Sequence, residues 1–312
     1  MREWKCEGSL YRNICTKNNH DDIHGPKRSK PISSLVYLDH AATTPLRPEA
    51  REAWLEGAAL WANPSSPHKA GRAARAALEE ARERVKRALN WAGEVLFTSG
   101  ASEALALGLG RAKAQRRLVS AVEHDAVFRA APDAQEIAVR GGEIDGEALA
   151  QALSAGGPAV VAVQSINSET GTVLLPYATN EAITQVRTAG GLFLADCSQS
   201  AGKAALPDAD MVVVSAHKLG GPVGIGALLV RDYAMLEPTG GQERGYRAGT
   251  ENLPAAMAFA AAIECGGIEG WATSAEQRFD FKNQLFKHGE VIQPGVQCSH
   301  IFAVAAFQEP AL

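Results

Sequence analysis

Residues 215–226 read SAHKLGGPVGIG and follow directly on the apolar run MVVV at 211–214. A lysine at the end of a buried strand is costly, because an ammonium taken out of water must be neutralised or paired. Lys218 is therefore the first candidate for chemistry. In LADCSQS (194–200), Asp196 closes an apolar run, with Gln199 one turn onward. A buried aspartate wants a cationic partner, and a protonated pyridine nitrogen is one; the alternative is a cap for the next segment. His124, in VEHDAV (122–127), stands just past a strand end, where an imidazole can stack on a flat ring or move a proton. A solitary histidine is more often a surface or core residue. FTSGASEA (97–104) ends a strand and opens a helix, so the N–H groups around Gly100–Ser102 and the Ser102 hydroxyl suit either a phosphate or an ordinary helix cap. A phosphate site, an acid, a histidine and a lysine, all at strand ends, form the set that pyridoxal phosphate (PLP) chemistry needs. Lysine forms the Schiff base, the acid keeps the ring nitrogen protonated, and a helix N-terminus holds the phosphate.

The elements that must position these residues are short apolar runs alternating with helical stretches. Strands are predicted at 94–98, 117–122, 159–166, 192–196, 211–215 and 225–230, and helices over 68–90, 100–113 and 178–189. In the first helix Ala74, Leu78, Ala81, Val85 and Leu89 share one face, and Glu80/Arg84 and Glu83/Arg87 stand at ion-pair spacing. Apolar runs without period-2 alternation indicate strands covered on both faces. Strand–helix alternation indicates an α/β fold with a mostly parallel central sheet flanked by helices, whose ligands bind at the carboxyl ends of the strands.

The 312-residue chain is 46% hydrophobic, with a net charge of -4. No basic field is available to capture nucleic acid or an acidic membrane surface. No apolar run reaches the roughly 18–20 residues of a membrane span, and the N-terminal stretch lacks the apolar core of a signal peptide, so a cytoplasmic protein is expected. Five cysteines, at 6, 15, 197, 265 and 298, form no disulfide framework. Cys197 is read as packing, pointing to the opposite face from Asp196, and Cys265 and Cys298 as structural. Residues 1–34 are polar and aperiodic and are expected to be a disordered extension. They hold Cys6, Cys15, His20 and His24, but the cysteines are too far apart for a zinc site, and no metal is expected.

Eight collinear segments now carry a resemblance: YLDHAATTP (37–45), ANPSSPH (62–68), FTSGASEA, EHDAV, NSETG (167–171), ADCSQSAGK (195–203), SAHKLGGPVGIGAL (215–228) and GGQERGYRAGTEN (240–252). Over about residues 36–264 the chain resembles the cysteine desulfurase group of the class V aminotransferases, which are fold-type I PLP enzymes. The resemblance implies a PLP-binding domain over 35–264 and the start of an incomplete small α/β domain over 265–312. It implies Lys218 as the Schiff-base lysine and proton carrier, Asp196 at the pyridine nitrogen, Gln199 at the ring hydroxyl and His124 stacked on the ring. Ala101, Ser102, Ser215 and His217 would bind the phosphate, joined by Thr250 from the other subunit of a homodimer. The implied reaction is L-cysteine to L-alanine, with sulfur passed as a persulfide to an iron–sulfur scaffold or another sulfur acceptor.

Two departures accompany the resemblance. Ser168 stands where the family usually has an asparagine touching the ring hydroxyl; a serine hydroxyl can still donate but is shorter. The family's persulfide cysteine loop and late substrate-binding arginine have no matching segment, so cofactor binding without competent desulfuration is expected. The small domain is expected to begin with a strand at 300–306 and to leave an apolar patch exposed. A selenocysteine lyase, another class V PLP lyase or aminotransferase, and a non-catalytic PLP-binding fragment remain as alternatives.

Overall fold

Residues 37–176, 181–268 and 271–306 are described in a computed structural model of the chain. The extension expected over 1–34 lies outside the described residues. Two helices open the fold, α1 (Pro48–Ala59) and α2 (Lys69–Ala88). There follow β1 (Glu94–Thr98), α3 (Ala101–Gly110), β2 (Arg116–Ser120), α4 (Asp125–Ala130), β3 (Gln135–Ile137), β4 (Val139–Arg140), β5 (Glu143–Ile144), α5 (Gly146–Ser154) and β6 (Ala159–Gln164). The second half runs α6 (Glu181–Thr188), β7 (Leu192–Asp196), β8 (Met211–Ser215), β9 (Gly226–Val230), α7 (Leu253–Glu264), α8 (Ala275–Leu285), β10 (Gly289–Ile292) and β11 (Ala303–Ala306).

Seven strands form the central sheet in the order β1-β9-β8-β7-β6-β2-β3. β9 is antiparallel to both β1 and β8, and the pairs β8–β7, β7–β6, β6–β2 and β2–β3 are parallel. The carboxyl ends of β1, β2, β6, β7 and β8 therefore share one edge. Side chains alternate between two buried clusters, one on each face: Phe193, Ala195, Val212 and Val214 pack into one, and Leu194, Met211 and Val213 into the other. That is why these strands read as continuous apolar runs.

Ala74, Leu78, Ala81, Val85 and Leu89 are all buried, as their spacing predicts. The ion pairs on α2 differ from the predicted ones. Arg84 leaves Glu80 for the Glu264 carboxylate at the end of α7, its Nε 3.0 Å from both oxygens, and Arg87 takes Glu80 instead at 2.9 Å. Tertiary packing offers Arg84 a forked carboxylate, which outbids a single-contact pair along the helix.

From Asp39 onward the contacts form one unit. Its C-terminal part holds α8 and a small antiparallel sheet of β10 and β11; the strand predicted at 300–306 is Ala303–Ala306, but it is not the first of this part as expected, because the four-residue β10 precedes it and pairs with it. Phe279 and Val296 in this region are 62% and 63% exposed, and Phe281, Phe286 and Ile292 are also exposed.

Candidate active site

The shared strand edge opens into a cavity of about 610 Å³. Ala101, Ser102, His124, Ser168, Asp196, Gln199, Ser215, His217 and Lys218 all line it, although they come from five separate strand ends. Thr250 does not; it is exposed on the loop that precedes α7.

Each side chain is placed by local bonds. After β8 the chain makes a short turn over Ala216–Lys218, and the segment before α1 fastens it. Thr44 donates its N–H to the His217 carbonyl at 2.8 Å and its hydroxyl to the Lys218 carbonyl at 3.2 Å, while Arg47 donates its N–H to the Gly220 carbonyl at 2.9 Å. His217 Nδ1 lies 3.2 Å from the Thr43 hydroxyl. Burial lowers the Lys218 pKa against the opposing pull of Asp196 and Glu169. Burial, then the Lys218 charge, lowers that of His217.

Asp196 is buried, and its Oδ1 accepts the Ser198 N–H at 2.9 Å. The cap reading and the cavity reading of Asp196 thus hold together, since the carboxylate also faces the cavity. His124 is likewise double: its Nδ1 accepts the Ala126 N–H at 3.1 Å at the start of α4 while its ring lines the cavity. Gln199 donates to the Ala41 carbonyl at 2.8 Å. Ser168 donates to Glu169 at 3.2 Å, and its neighbour Asn167 turns away to the Val122 carbonyl at 3.2 Å.

At the β1–α3 joint Gly100 has φ 152°, a conformation open essentially only to glycine. It turns the chain so that α3 begins at the cavity wall. Gly226 on β9 lies against this turn: a Cβ there would be 2.7 Å from the Val214 carbonyl oxygen and 2.9 Å from Gly100 Cα.

Three buried polar atoms of cavity-lining residues, Ser198 Oγ, Gln199 Oε1 and Ser215 Oγ, have no partner among the described residues. Buried hydroxyls and amides are normally satisfied, so these atoms point to a ligand that supplies them with partners. With an amine of lowered pKa, a buried carboxylate and a helix N-terminus, the donor set fits PLP.

Sequence reasoning passed over Glu123, Glu103 and Glu169. Glu123 is buried between the ends of β2 and β6, its Oε1 accepting the Ser120 hydroxyl at 2.5 Å and the Gln164 N–H at 2.7 Å. Burial pushes its carboxyl up to about 8, and the nearby Asp196 charge adds to this. The only sequence signal for it was its position beside His124. Glu103 and Glu169 line the cavity next to Ser102 and Ser168.

Residues 36–287 match the class-V aminotransferase family. The chain belongs to this family. Among relatives of this class-V aminotransferase are the cysteine desulfurases of Frankia sp. (strain EuIK1), 39% identical over 266 residues (73% of this chain, 61% of the relative), and of Cereibacter sphaeroides, 39% identical over 261 residues (75% and 66%). The apo structure of the cysteine desulfurase from Thermococcus onnurineus NA1 superposes with a TM-score of 0.70 at 25% identity, covering 88% of this chain and 78% of that one. The fold is the PLP-dependent fold-type I architecture expected from the sequence. The chain spans between three fifths and two thirds of the length of these two curated relatives. Among the described residues no helix is long and apolar enough to cross a membrane.

Proposed function

We propose that this chain supplies the cofactor site of a PLP-dependent cysteine desulfurase acting on L-cysteine. The observation that carries the reading is the convergence of Lys218, Asp196 and the unpartnered Ser215 hydroxyl on one cavity.

Lys218 would hold the cofactor through its amine and then move a proton at the substrate's α- and β-carbons. Its burial favours the neutral amine, which is the form that acts as nucleophile and base. Asp196 would hold the ring-nitrogen proton, Gln199 would take the ring hydroxyl, and His124 would lie against the ring. The Ser99–Ser102 turn, Ser215 and His217 would bind the phosphate. Bound PLP would supply an electron sink for the substrate carbons. The substrate C–S bond breaks, its sulfur leaves on a thiol as a persulfide, and the carbon skeleton takes up a proton as L-alanine.

None of Cys197, Cys265 and Cys298 lines the cavity, and burial raises the pKa of each, that of Cys197 to about 12. The accepting thiol therefore comes from outside these three, and a thiol-bearing partner or iron–sulfur scaffold is the proposed destination. A homodimer is proposed to complete the site through the exposed Thr250, in the cytoplasm. The lack of a cavity-lining thiol among the described residues favours one second reading, a class V lyase that releases its product without a protein thiol.

Alanine formation tests both. With PLP, L-cysteine and an added small thiol, the wild-type chain should form alanine and sulfide and Lys218→Ala should not. Alanine from cysteine sulfinate or selenocysteine but not from cysteine would favour the second reading. No alanine from any of the three would refute both.

A further inference from the structure

Glu103 lines the cavity immediately after Ser102, where an unbalanced carboxylate would repel a phosphate. Its charge is balanced from two sides. Its Oε2 accepts the Ser99 N–H at 2.5 Å, closing the turn that opens α3. Both of its oxygens lie 3.1 Å from Arg247 Nε, which arrives from a loop more than 140 residues further along the chain.

That loop, residues 239–250, is held in one shape. Glu243 and Arg244 have φ 47° and 60°, strained values for residues with side chains that persist only where the surroundings over-determine them. The surroundings do so. The buried Glu243 carboxylate forks onto Arg82 at 2.8 and 3.2 Å and accepts the Phe97 N–H of β1 at 2.9 Å. Arg244 reaches Glu79 at 2.7 Å, and Tyr246 stacks on Tyr233 with ring centres 5.0 Å apart. The loop thus docks onto both α2 and β1 and delivers Arg247 to the phosphate turn.

We propose that Arg247 is a positioning residue of the cofactor site: by pairing with Glu103 it fixes the Ser99–Ser102 turn and balances the Glu103 charge beside it, so that the turn accepts the PLP phosphate only when loop 239–250 is docked. The proposal rests on the PLP reading of the cavity. Burial alone would raise the Glu103 pKa; the Ser99 and Arg247 bonds overcome it and hold the carboxyl below its ordinary value, which keeps it charged and dependent on Arg247. Because the same loop carries the exposed Thr250, anything that grips the loop and anything that binds the phosphate turn favour each other.

The test is the affinity of the full chain for PLP and for pyridoxal, which lacks the phosphate, followed by absorbance titration. Arg247→Gln should weaken PLP on the order of tenfold, because it leaves a carboxylate unpaired beside the phosphate, and pyridoxal by less than about twofold. Adding Glu103→Gln should restore PLP binding most of the way, and Arg247→Lys, which keeps the charge, should retain it. Equal weakening of PLP and pyridoxal, or a double variant no better than Arg247→Gln, overturns the role; so does an Arg247→Gln chain that binds PLP as the wild type does. A wild-type chain that takes up neither compound overturns the PLP reading itself, and the role of Arg247 falls with it.

Discussion

Replacing Glu123 by glutamine should make the protein more stable in alkali while leaving it nearly unchanged in mild acid. The carboxyl is enclosed between the ends of β2 and β6, with one oxygen bonded to Ser120 and Gln164 and the other buried without a partner. In the folded chain it holds its proton up to about 8, whereas its ordinary value is 4.5. The sign follows: the folded state binds more protons than the unfolded state between these values, so this group's contribution to stability falls as pH rises from 4.5 through about 8. At ~1.4 kcal/mol per pH unit the full loss has an upper bound of ~5 kcal/mol. Glutamine can accept the same two bonds and has no charge to bury. Urea unfolding of the cofactor-free chain, at one protein concentration, reads the difference. Between about pH 5.5 and about pH 9 the advantage of Glu123→Gln should widen by up to ~3 kcal/mol. A gap of the same size at both pH values would mean that the native carboxyl is already ionised, and would refute the reasoning.

Other perturbations test the frame around the site. Glu243→Ala should cost about 2–4 kcal/mol in urea unfolding, because it leaves the buried Arg82 guanidinium with Glu79 as its remaining ionic partner and strands the Phe97 N–H; a loss under about 1 kcal/mol would contradict that. Gly226→Ala should impair PLP uptake more than secondary structure, since its Cβ would press on Gly100 and Val214 at the phosphate turn; unchanged PLP titration would count against the turn as the phosphate site. Cys197 should stay unlabelled by a thiol reagent in the folded chain and react only on unfolding, being fully buried with its thiol pushed up to about 12.

The strands of the site were legible because each is buried on both faces, which leaves a continuous apolar run such as MVVV, and because their ends carry the few polar residues that burial would otherwise exclude. Residues 94–98, 192–196 and 211–215 form strands with the predicted ends. Helix α7 was not read. Its sequence, LPAAMAFAAAIE, is apolar all round, and nine of its residues are buried, so it has no amphipathic period to detect. The short strands β3, β4, β5 and β10 have two to four residues each, too few for a pattern. Nine of the ten candidate site residues line one cavity: the strand-end rule found Lys218, Asp196, Gln199, His124 and Ser102, and the family resemblance supplied Ala101, Ser168, Ser215 and His217. Glu103 and Arg247 escaped the same rule. Their significance lies in a pairing across the fold that no local spacing encodes. The exchange of partners at Arg84 has the same cause.

The central claim is that Lys218 is the residue that takes PLP, and the most direct measurement is where the cofactor attaches. The chain holds a built-in rival: Lys203, whose pKa burial lowers to about 8, is also a reactive amine. Incubation with PLP, borohydride reduction and peptide mapping by mass spectrometry would locate the pyridoxyl group. It should be found on the peptide containing Lys218, at close to one per chain, and Lys218→Ala should abolish it without moving it elsewhere. Attachment at Lys203, or spread over surface lysines and undiminished in Lys218→Ala, would contradict the account.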